Sequence, residues 1–308
     1  MKILVTGGAG FIGSNIVDAY IAAGHKVVIV DNLSAGKLRN VNNKAKFYRA
    51  DIRDDRKIND IFRRERPEIV NHHAAQIDVR KSVLDPVFDA QVNVLGTLNL
   101  LENCVKYKVK KFIFASSGGV MYGECGKTPP AETAPANPLS PYGVTKHTTE
   151  VYLNYYAATY GIKYLVFRYG NVYGPRQDPH GEAGVVAIFI QRIQNNSEIN
   201  IFGNGEQLRD YVFVGDVVRA NLLGLKKGVN EIINIGTQKA SSVNTLFAEL
   251  SMITGYDQKA VYQSPRLGEL QKSFLSTAKA KKLLGWQSTV NFKDGLIQTV
   301  DYFNNSCK

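Results

Sequence analysis

The stretch that decides the fold is Lys2-Ile3-Leu4-Val5-Thr6-Gly7-Gly8-Ala9-Gly10-Phe11-Ile12-Gly13, near the start of the 308-residue chain. Its first five residues form a short run of β-formers, and the glycines lead into an amphipathic run that extends to about Gly24. This pattern predicts a strand, a glycine turn and a helix. Such a turn lets the backbone approach a pyrophosphate, which the N-terminus of the helix then holds. A plain glycine-rich turn would explain the pattern equally well.

A second buried strand follows at 26–30 and ends on Asp31, 18 residues after Gly13. A carboxylate at this place can accept hydrogen bonds from the ribose diol of adenosine, and it repels a 2′-phosphate. No arginine immediately follows Asp31 to offset the repulsion, so the sequence favours NAD over NADP. Asn32, Leu33 and Ser34 continue as a loop that is expected to line the adenosine site.

The alternation of strands and helices continues along the first half of the chain. Apolar runs predict strands at 46–50, 68–75, 111–115 and 163–168, and amphipathic runs predict helices at 54–65, 85–107 and 140–160. We therefore expect an α/β fold, a Rossmann-like doubly wound parallel sheet with at least six strands over residues 1–169. Residues 211–236 are expected to return to this NAD-binding domain. Most of 170–308 is expected to form a smaller mixed α/β substrate-binding domain.

The composition is that of an ordinary soluble globular protein. Hydrophobic residues make up 44% and charged residues 21%, no apolar run approaches the roughly 18 residues that span a bilayer, and no secretory signal pattern precedes the first strand. These features predict a cytoplasmic protein with no membrane partner. The net charge of +11 attracts anions, but the basic residues are spread along the chain without a recognition motif, so no nucleic-acid partner is predicted.

Cysteines and histidines give no sign of a metal site. Cys104, Cys125 and Cys307 are scattered, without metal-ligand spacing or the pattern of a disulfide framework. His72 and His73 stand near the end of a predicted strand, but no further ligands cluster near them in sequence. We interpret both as structural residues.

Small and polar residues stand where predicted parallel strands end, and open α/β sheets bind ligands outside these carboxyl ends. Asp51 and Ile52 follow one strand, and Ala74 and Ala75 close the next, where small side chains suit the close approach of a cofactor. Ser117 follows the strand at 111–115, so its hydroxyl group is well placed to meet a ligand.

A second decisive stretch is Ser140-Pro141-Tyr142-Gly143-Val144-Thr145-Lys146. Pro141 suits the first turn of a helix, and Tyr142 and Lys146 then fall at i and i+4 on one face. An ammonium group close to a phenol favours the phenolate and lowers the tyrosine pKa, so the pair can act as a base. The same spacing also occurs on solvated helix faces that do no chemistry.

The second half of the chain contains a long loop and two arginines of interest. Residues 170–179 are rich in glycine and proline, and structureless stretches of this length are usually functional. Asp216 is expected to cap an apolar helix that ends near Gly228. Arg209 and Arg266 stand at the edges of predicted elements, and guanidinium groups suit a diphosphate, although a surface salt bridge would account for either one alone.

Together these motifs resemble the extended short-chain dehydrogenase/reductase superfamily over the whole chain. The resemblance is strongest to its UDP-glucose/UDP-galactose 4-epimerases, and it implies an isomerase of galactose metabolism that uses NAD as an internal redox cofactor and a nucleotide sugar as substrate. The motifs are Gly7-x-x-Gly10-x-x-Gly13, Asp31, His72-x-Ala74-Ala75, Ser117, Tyr142-x-x-x-Lys146 and Arg168-Tyr169-x-Asn171-Val172-Tyr173-Gly174-Pro175.

The resemblance also implies roles for individual residues. Ser117, Tyr142 and Lys146 would form the catalytic triad. The implied NAD contacts, besides Tyr142 and Lys146, are Gly7, Gly10, Phe11, Ile12, Gly13, Asp31, Asn32, Ser34, Asp51, Ile52, Ala74, Ala75, Asn93 and Tyr169. The implied contacts to the nucleotide sugar, besides Ser117, are Asn171, Val186, Arg209, Arg266 and Ser273.

The sugar-nucleotide 4,6-dehydratases are similar to this chain, but they carry an Asp-Glu pair where Gly118 and Gly119 stand here. Without these carboxylates the chain lacks the acid and base that eliminate water, and the same absence argues against the related decarboxylases. Epimerisation at C4 needs only the triad and NAD. Tyr142 would take the 4-hydroxyl proton, Ser117 would orient or relay it, and the transient 4-keto sugar would turn over before reduction on its other face.

Ser273 marks the expected breadth of substrates. An ungapped match of the segment 266–269 places it where the family carries either a bulky aromatic or a small residue, and a small residue implies room for UDP-N-acetylglucosamine and UDP-N-acetylgalactosamine. The alternatives are a 4-epimerase of another nucleotide, a nucleotide-sugar reductase, and a non-enzymatic NAD-sensing protein, which the intact triad disfavours. Homodimers are common in the family, and the helices at 85–107 and 140–160 would pair.

Overall fold

The computed structural model describes residues 1–180, 184–266 and 269–306, without the side chain of Ser306. Cys307 and residues 267–268, part of the segment that aligned Ser273, lie outside the described residues. The strands are β1 Lys2–Thr6, β2 Lys26–Asp31, β3 Lys46–Arg49, β4 Ile69–His72, β5 Lys111–Ser117, β6 Lys163–Tyr169, β7 Asn171–Tyr173, β8 Asn200–Phe202, β9 Leu208–Arg209, β10 Tyr211–Phe213, β11 Glu231–Ile235, β12 Ser241–Ser242, β13 Val261–Gln263 and β14 Lys272–Ser273.

The helices pack around these strands, with a short 3₁₀ turn at Leu38–Asn40 and a π-helical turn at Gln91–Leu95. They are α1 Phe11–Ala22, α2 Asp55–Glu65, α3 Val79–Leu84, α4 Pro86–Ala90, α5 Gly96–Lys106, α6 Pro141–Tyr160, α7 Val185–Gln194, α8 Val214–Gly224, α9 Val243–Thr254, α10 Ala278–Leu284 and α11 Phe292–Ser306.

The centre of the molecule is a parallel sheet of seven strands in the order β11-β6-β5-β4-β1-β2-β3. This order confirms the predicted Rossmann-like fold. The seventh strand, β11, comes from the second half of the chain and pairs with β6, so that Ile235 lies opposite Tyr169. The division into domains at residue 169 stays a prediction.

Side chains of the central strands alternate between the two faces of the sheet, and both faces are buried. Val5 packs in one apolar layer with Ile16 of α1, whereas Leu4 packs in the other layer with Phe62 of α2. Full burial of each such side chain contributes about 1.5–3 kcal/mol to folding. Helices therefore cover both faces, and the carboxyl edge of the sheet is where the chain can bind a ligand.

The helix that carries the predicted base begins where the sequence indicates. Ser140 is the N-cap of α6 and accepts a hydrogen bond from the Gly143 N–H at 3.2 Å, and Pro141 occupies the first turn. The helix ends at Gly161, which has a positive φ of +72°. Proline at the start and glycine at the end match the usual asymmetry of helix termini.

Two details of the helices differ from the prediction. The helix expected at 85–107 is present, since α4, a π-helical turn and α5 follow one another without a break, but the π turn was not predicted, and in it Asn93 donates a hydrogen bond to Asp89 at 3.0 Å. The predicted cap at Asp216 is wrong. α8 begins at Val214, and the Asp216 carboxylate instead accepts hydrogen bonds from the backbone of Thr289 and Val290.

A second apolar core lies beneath α7, α9 and α11. Phe189, Leu246 and Phe303 are among its buried members, and the small sheets β7-β10, β8-β13 and β12-β9-β14 accompany it. Among the described residues, no helix combines the length and the apolar character that crossing a membrane requires.

Candidate active site

The glycine turn between β1 and α1 is closed by contacts that only glycine permits. Gly7 has a φ of +68°, and a Cβ there would lie 2.6 Å from the backbone N of Ala74. A Cβ on Gly13 would lie 2.2 Å from the Gly7 carbonyl oxygen. Gly10 is the N-cap of α1 and offers no side-chain cap, so the first N–H groups of the helix can bind an anion. The turn therefore fits the pyrophosphate of a dinucleotide.

Asp31 is buried at the end of β2, beside the glycine turn. Its carboxylate accepts hydrogen bonds from the N–H of Ala9 at 3.0 Å and of Leu33 at 2.8 Å. Gly36 approaches so closely that a Cβ there would lie 2.8 Å from Asp31 Oδ1. Since a carboxylate can accept about four hydrogen bonds, its two oxygens can still accept hydrogen bonds from the hydroxyl groups of a diol. This arrangement fits the adenosine ribose of NAD.

The loops after β2 and β3 meet beside Asp31. Asn32 Nδ2 donates to Asp51 Oδ2 at 3.0 Å, and the Ser34 N–H donates to Asn32 Oδ1 at 3.0 Å. Two hydrogen bonds from the Arg53 side chain hold the pKa of the Asp51 carboxyl well below its usual range. The structure thus brings Asn32, Ser34 and Asp51 together, and the buried Ile52 follows directly.

Asn93 shapes the loop that follows β4. Its Oδ1 accepts the Gln76 N–H at 2.9 Å and its Nδ2 donates to the Gln76 carbonyl at 3.0 Å. The Ala74 N–H donates to Thr6 Oγ1 at 3.2 Å. Asn93 therefore fixes the backbone just after Ala74 and Ala75, and its own contact to NAD stays a prediction.

Ser117, Tyr142 and Lys146 lie at the carboxyl edge of β5. Lys146 Nζ donates to the Ala115 carbonyl at 2.9 Å and lies 5.6 Å from the centroid of the Tyr142 ring. Ser117 is two residues further along β5, opposite Tyr169 in β6. Within the described residues, no hydrogen bond joins the Tyr142 hydroxyl to Ser117. The predicted triad residues are neighbours in the fold, and their catalytic roles stay predictions.

Burial dominates the electrostatics of the Tyr142–Lys146 pair. It raises the pKa of Tyr142 above its ordinary value, and the nearby Asp89 charge raises it further. It also lowers the pKa of Lys146 to about 8, although Asp89 and Glu150 act in the opposite direction. In the chain by itself burial therefore sets the direction of the Tyr142 pKa, because loss of water disfavours the phenolate, and a lowering of this pKa by Lys146 stays a prediction.

Neutral histidines line the same edge. The ring nitrogens of His72 are within hydrogen-bond distance of Thr6 Oγ1 at 2.6 Å and Thr97 Oγ1 at 2.9 Å. His73 stacks on Tyr169, and burial together with the Lys146 charge lowers its pKa to about 3. These contacts are those of structural histidines. Among the described residues, no group of three metal-binding side chains occurs.

Ser273 and Asn171 border the triad on the other side. A Cβ on Gly119 would lie 3.8 Å from both Ser117 Oγ and Asn171 Oδ1. The side chains of Ser117 and Asn171 therefore face the same space beside Gly119. The Ser273 hydroxyl donates to the Gly119 carbonyl at 3.4 Å, and Ser273 lies opposite Arg209 in the β14–β9 pair. These predicted sugar contacts are thus brought close to the predicted catalytic residues.

A cavity of about 640 Å³ lies next to Arg209. Arg209 Nη2 lies 3.4 Å from Glu269 Oε1, and Glu269 lines the cavity together with Arg266. The guanidinium carbon of Arg266 lies 3.8 Å from the centroid of the Phe202 ring. By contrast, Val186 is 1% exposed and packs in the second apolar core, so its contact with a sugar stays a prediction.

Three buried charges stand beside the site, of which Glu150 and Asp89 were not predicted and Arg168 was named only as part of a motif. Glu150 accepts hydrogen bonds from Arg168 Nη2 at 2.6 Å and from Ser116 Oγ at 2.6 Å. Asp89 accepts one from Thr145 in α6 at 2.7 Å. A charged residue within an apolar strand, such as Arg168, is a signal that could have been read. Asp89 carries no such signal, because α4 contains few residues and its buried face depends on packing.

Comparisons with known proteins agree with this geometry. Residues 3–236 match the model of the NAD dependent epimerase/dehydratase family. The chain is 54% identical to the UDP-glucose 4-epimerase of Thermotoga maritima, solved with UDP-glucose, at a TM-score of 0.98 with 100% of each chain covered. It is 44% identical to the Thermus thermophilus UDP-glucose 4-epimerase, solved with NAD, at a TM-score of 0.95 with 99% and 100% covered. The UDP-glucose 4-epimerase of Mycolicibacterium smegmatis is 43% identical, with 99% of both chains covered.

The family match spans more than two thirds of the chain and includes the glycine turn, Asp31 and the Tyr142–Lys146 pair. The two solved relatives superpose over almost every residue of the chain and of their own length. The sheet, the dinucleotide-binding turn and the full-length similarity agree, and on these grounds the chain belongs to the NAD-dependent epimerase/dehydratase family.

Proposed function

We propose that the protein is an NAD-dependent 4-epimerase that interconverts UDP-glucose and UDP-galactose through a transient 4-keto sugar. One observation carries the proposal: the Tyr142–Lys146 pair lies beside Ser117 at a strand end, on the same sheet edge as the turn and carboxylate that fit NAD. The names of the full-length relatives support the same activity.

In the proposed reaction, Tyr142 takes the proton of the 4-hydroxyl as the C4 hydrogen leaves with its electron pair. Ser117 orients the 4-oxygen and relays the proton, and Lys146 contributes positive charge that favours the phenolate. When bound by the glycine turn and Asp31, NAD would supply reversible storage of this hydride and further positive charge that favours the phenolate. The 4-keto sugar turns over, C4 regains its hydrogen on the opposite face, and Tyr142 returns the proton. The reaction consumes no external oxidant or reductant.

The packing around Gly118 supports epimerisation over dehydration. A Cβ on Gly118 would lie 2.5 Å from Cδ1 of Leu275, which is buried with Met121 and Tyr122. A carboxylate side chain at this position would therefore displace Leu275 from its apolar cluster. The acid–base pair that dehydration needs has no room at residue 118 without repacking.

The substrate side is proposed from the cavity and from Ser273. The cavity lined by Phe202 and Arg266 would receive the nucleotide, with Arg209 and Arg266 at the diphosphate and ribose. Ser273 is a small, buried residue joined to Gly119, and a small residue there leaves room for an acetamide group. We therefore include UDP-N-acetylglucosamine and UDP-N-acetylgalactosamine among the substrates.

The test is to incubate the purified protein with UDP-galactose, without added NAD, and to look for UDP-glucose. Tyr142→Phe should slow the conversion by about 10²–10⁴-fold, because the proton acceptor is lost, while NAD stays bound. Tyr152→Phe is the matched control, since Tyr152 is an exposed tyrosine in the same helix. A Tyr142→Phe rate close to that of the control would contradict the proposed base.

The same preparation separates the alternatives. An epimerase keeps its cofactor, so NAD(H) should be found in the purified protein, and activity should not depend on added coenzyme. A nucleotide-sugar reductase would instead consume added NADH or NADPH in proportion to product. Tight NAD binding with no conversion of any nucleotide sugar would favour a sensor.

We further propose that two copies associate through α4–α5 and α6, and that the protein works in the cytoplasm. Val87 and Leu95 on the first segment and Val151 and Tyr155 on α6 are large hydrophobic residues that are each at least 49% exposed. Exposed apolar residues on two adjacent helices are typical of a homodimer interface. Light scattering should give the mass of a dimer, and Val151→Glu should lower it to that of a monomer.

A further inference from the structure

Asp89 is a fully buried carboxylate at the point where three segments meet. Its Oδ1 accepts hydrogen bonds from Gln76 Nε2 at 2.9 Å and Asn93 Nδ2 at 3.0 Å. Its Oδ2 accepts one from Thr145 Oγ1 at 2.7 Å. One side chain of α4 thus joins the loop after β4, the π-helical turn and the base-bearing helix α6.

Among the described residues, no basic group forms an ion pair with Asp89 within 4.0 Å, and the Lys146 ammonium acts on this carboxylate only through space. Lys81 and Arg53 lie over the ring of the neighbouring Phe88. Residues 78–85 and 141–150, which contain α3 and the first half of α6 and pack against α4, carry the titratable groups Asp78, Arg80, Lys81, Asp85, Tyr142, Lys146, His147 and Glu150. A buried carboxylate that is held by hydrogen bonds without a direct ion pair is costly to folding, so its presence calls for a role that a neutral side chain would not fill.

The position of Thr145 connects Asp89 to the proposed base. Thr145 lies between Tyr142 and Lys146 in α6, and its Oγ1 is also 3.0 Å from the Tyr142 carbonyl oxygen. The negative charge of Asp89 raises the pKa of both Tyr142 and Lys146. Asp89 therefore acts on the orientation of this helical turn and on the protonation of both its functional groups.

We propose that Asp89 is a positioning residue of the 4-epimerase reaction, which fixes the Tyr142–Lys146 turn against the cofactor loop through Thr145 and whose charge sets the pH range in which the pair works. This inference rests on the proposed function. Asp89 has no proposed contact with the substrate. It acts through α6, by keeping Lys146 protonated and by opposing premature ionisation of Tyr142.

The sign of the effect follows from the charge. Removing a negative charge makes the phenolate easier to form and the ammonium easier to lose, so the pKa of Tyr142 and the pKa of Lys146 both fall. Activity that needs an ionised tyrosine and a protonated lysine has a bell-shaped pH profile, bounded by these two groups. Both limbs of the profile should therefore move to lower pH, whereas mere misalignment of α6 would lower the maximum and leave both limbs in place.

Asp89→Asn is the test variant, because the asparagine can keep all three contacts. Its oxygen can accept from Gln76 and Asn93, and its amide can donate to Thr145 Oγ1, whose proton then turns to the Tyr142 carbonyl. Thr145→Val is the matched control, since it removes the hydrogen bond and leaves the charge. In the NAD-loaded enzyme with UDP-galactose, both limbs of the pH profile of kcat should move to lower pH by about one unit in Asp89→Asn. In Thr145→Val both limbs should stay at their wild-type pH.

A second readout does not depend on epimerase activity. In protein with ¹³C-labelled lysine, the Lys146 signal is assigned by its loss in Lys146→Met, and its midpoint near pH 8 should fall by about one unit in Asp89→Asn. If the wild-type protein converts no nucleotide sugar, the proposed function fails while this titration still reports on the charge. Unchanged midpoints in Asp89→Asn would overturn the inference. So would failure of both Asp89→Asn and Asp89→Ser to fold, since Asp89 would then be a purely structural residue.

Discussion

Gly13→Ala tests whether the glycine turn holds NAD. The new Cβ would lie 2.2 Å from the Gly7 carbonyl oxygen, about 1.2 Å short of the 3.4 Å at which ordinary contact begins. That carbonyl already accepts a hydrogen bond from the Gly10 N–H at 3.0 Å. The turn can relieve the clash only by moving Gly7 away from α1, and this movement changes the direction of the N–H groups that would face the pyrophosphate.

The expected loss can be worked from these contacts. A hydrogen bond to a charged group contributes about 1.5–3 kcal/mol, so losing one N–H contact to the pyrophosphate weakens NAD binding about 10–100-fold. Gly10→Ala should have a smaller effect, because its Cβ would lie 3.2 Å from the same carbonyl oxygen and the clash can be relieved by a few tenths of an ångström. Gly126→Ala should have none, since nothing lies within 4 Å of the new Cβ.

The assay is the molar ratio of NAD(H) to protein after purification, followed by titration of the stripped proteins with NAD. Circular dichroism and thermal unfolding check that each variant is folded. NAD content should decrease in the order Gly126→Ala, Gly10→Ala, Gly13→Ala. If folded Gly13→Ala retained NAD with the affinity of Gly126→Ala, the turn would not be the pyrophosphate site.

Three further outcomes are expected. Ser273→Tyr should abolish conversion of UDP-N-acetylgalactosamine while UDP-galactose is still converted, because the aromatic ring would fill the space proposed for the acetamide group. Equal losses of activity on both substrates would contradict the proposed role of residue 273 in substrate selection. Glu150→Gln should lower the free energy of unfolding in urea by about 3–5 kcal/mol, since it removes the carboxylate that neutralises the buried Arg168 guanidinium, and Glu150→Gln/Arg168→Met should lose less. Burial holds the pKa of His72 well below 6.5, so its neutral form stabilises the fold above pH 6.5, and the unfolded chain takes up an extra proton below it. Below pH 6.5, His72 should therefore contribute about 1.4 kcal/mol per pH unit to the fall in the free energy of unfolding, in addition to the contribution of His73, and His72→Gln should make the slope shallower by that amount.

Much of the fold and part of the site could be predicted because their signals are local. The strand, glycine turn and helix around Gly7 and Gly13 depend on short-range sterics, and the turn closes as expected. The start of α6 at Pro141 follows from helix-capping chemistry within four residues. The order of alternating strands and helices leaves few arrangements of a parallel sheet, so the carboxyl ends of the strands, and Asp31 and Ser117 with them, could be placed at one edge.

Other features depend on distant segments, and the sequence pattern was silent or misleading about them. Val186 lies where the resemblance implies a sugar contact, yet its side chain is packed in the second core. Asp216 has the spacing of a helix cap but hydrogen-bonds to residues 289 and 290, more than 70 positions away. The π-helical turn at Asn93 forms where that side chain binds Asp89 and the backbone of Gln76.

The sequence by itself determined the parallel α/β sheet, the dinucleotide turn, the preference for NAD and the spacing of Tyr142 and Lys146, because each is signalled by a local pattern: alternating apolar runs, spaced glycines, a carboxylate at a strand end and an i, i+4 pair. Only the tertiary structure decided how these two groups ionise. Their pKa values depend on burial and on the charge of Asp89, and both arise when α4 and α6 pack together. Desolvation and charge act through space, so neighbours that are far apart along the chain control the chemistry of a pair that the chain places together.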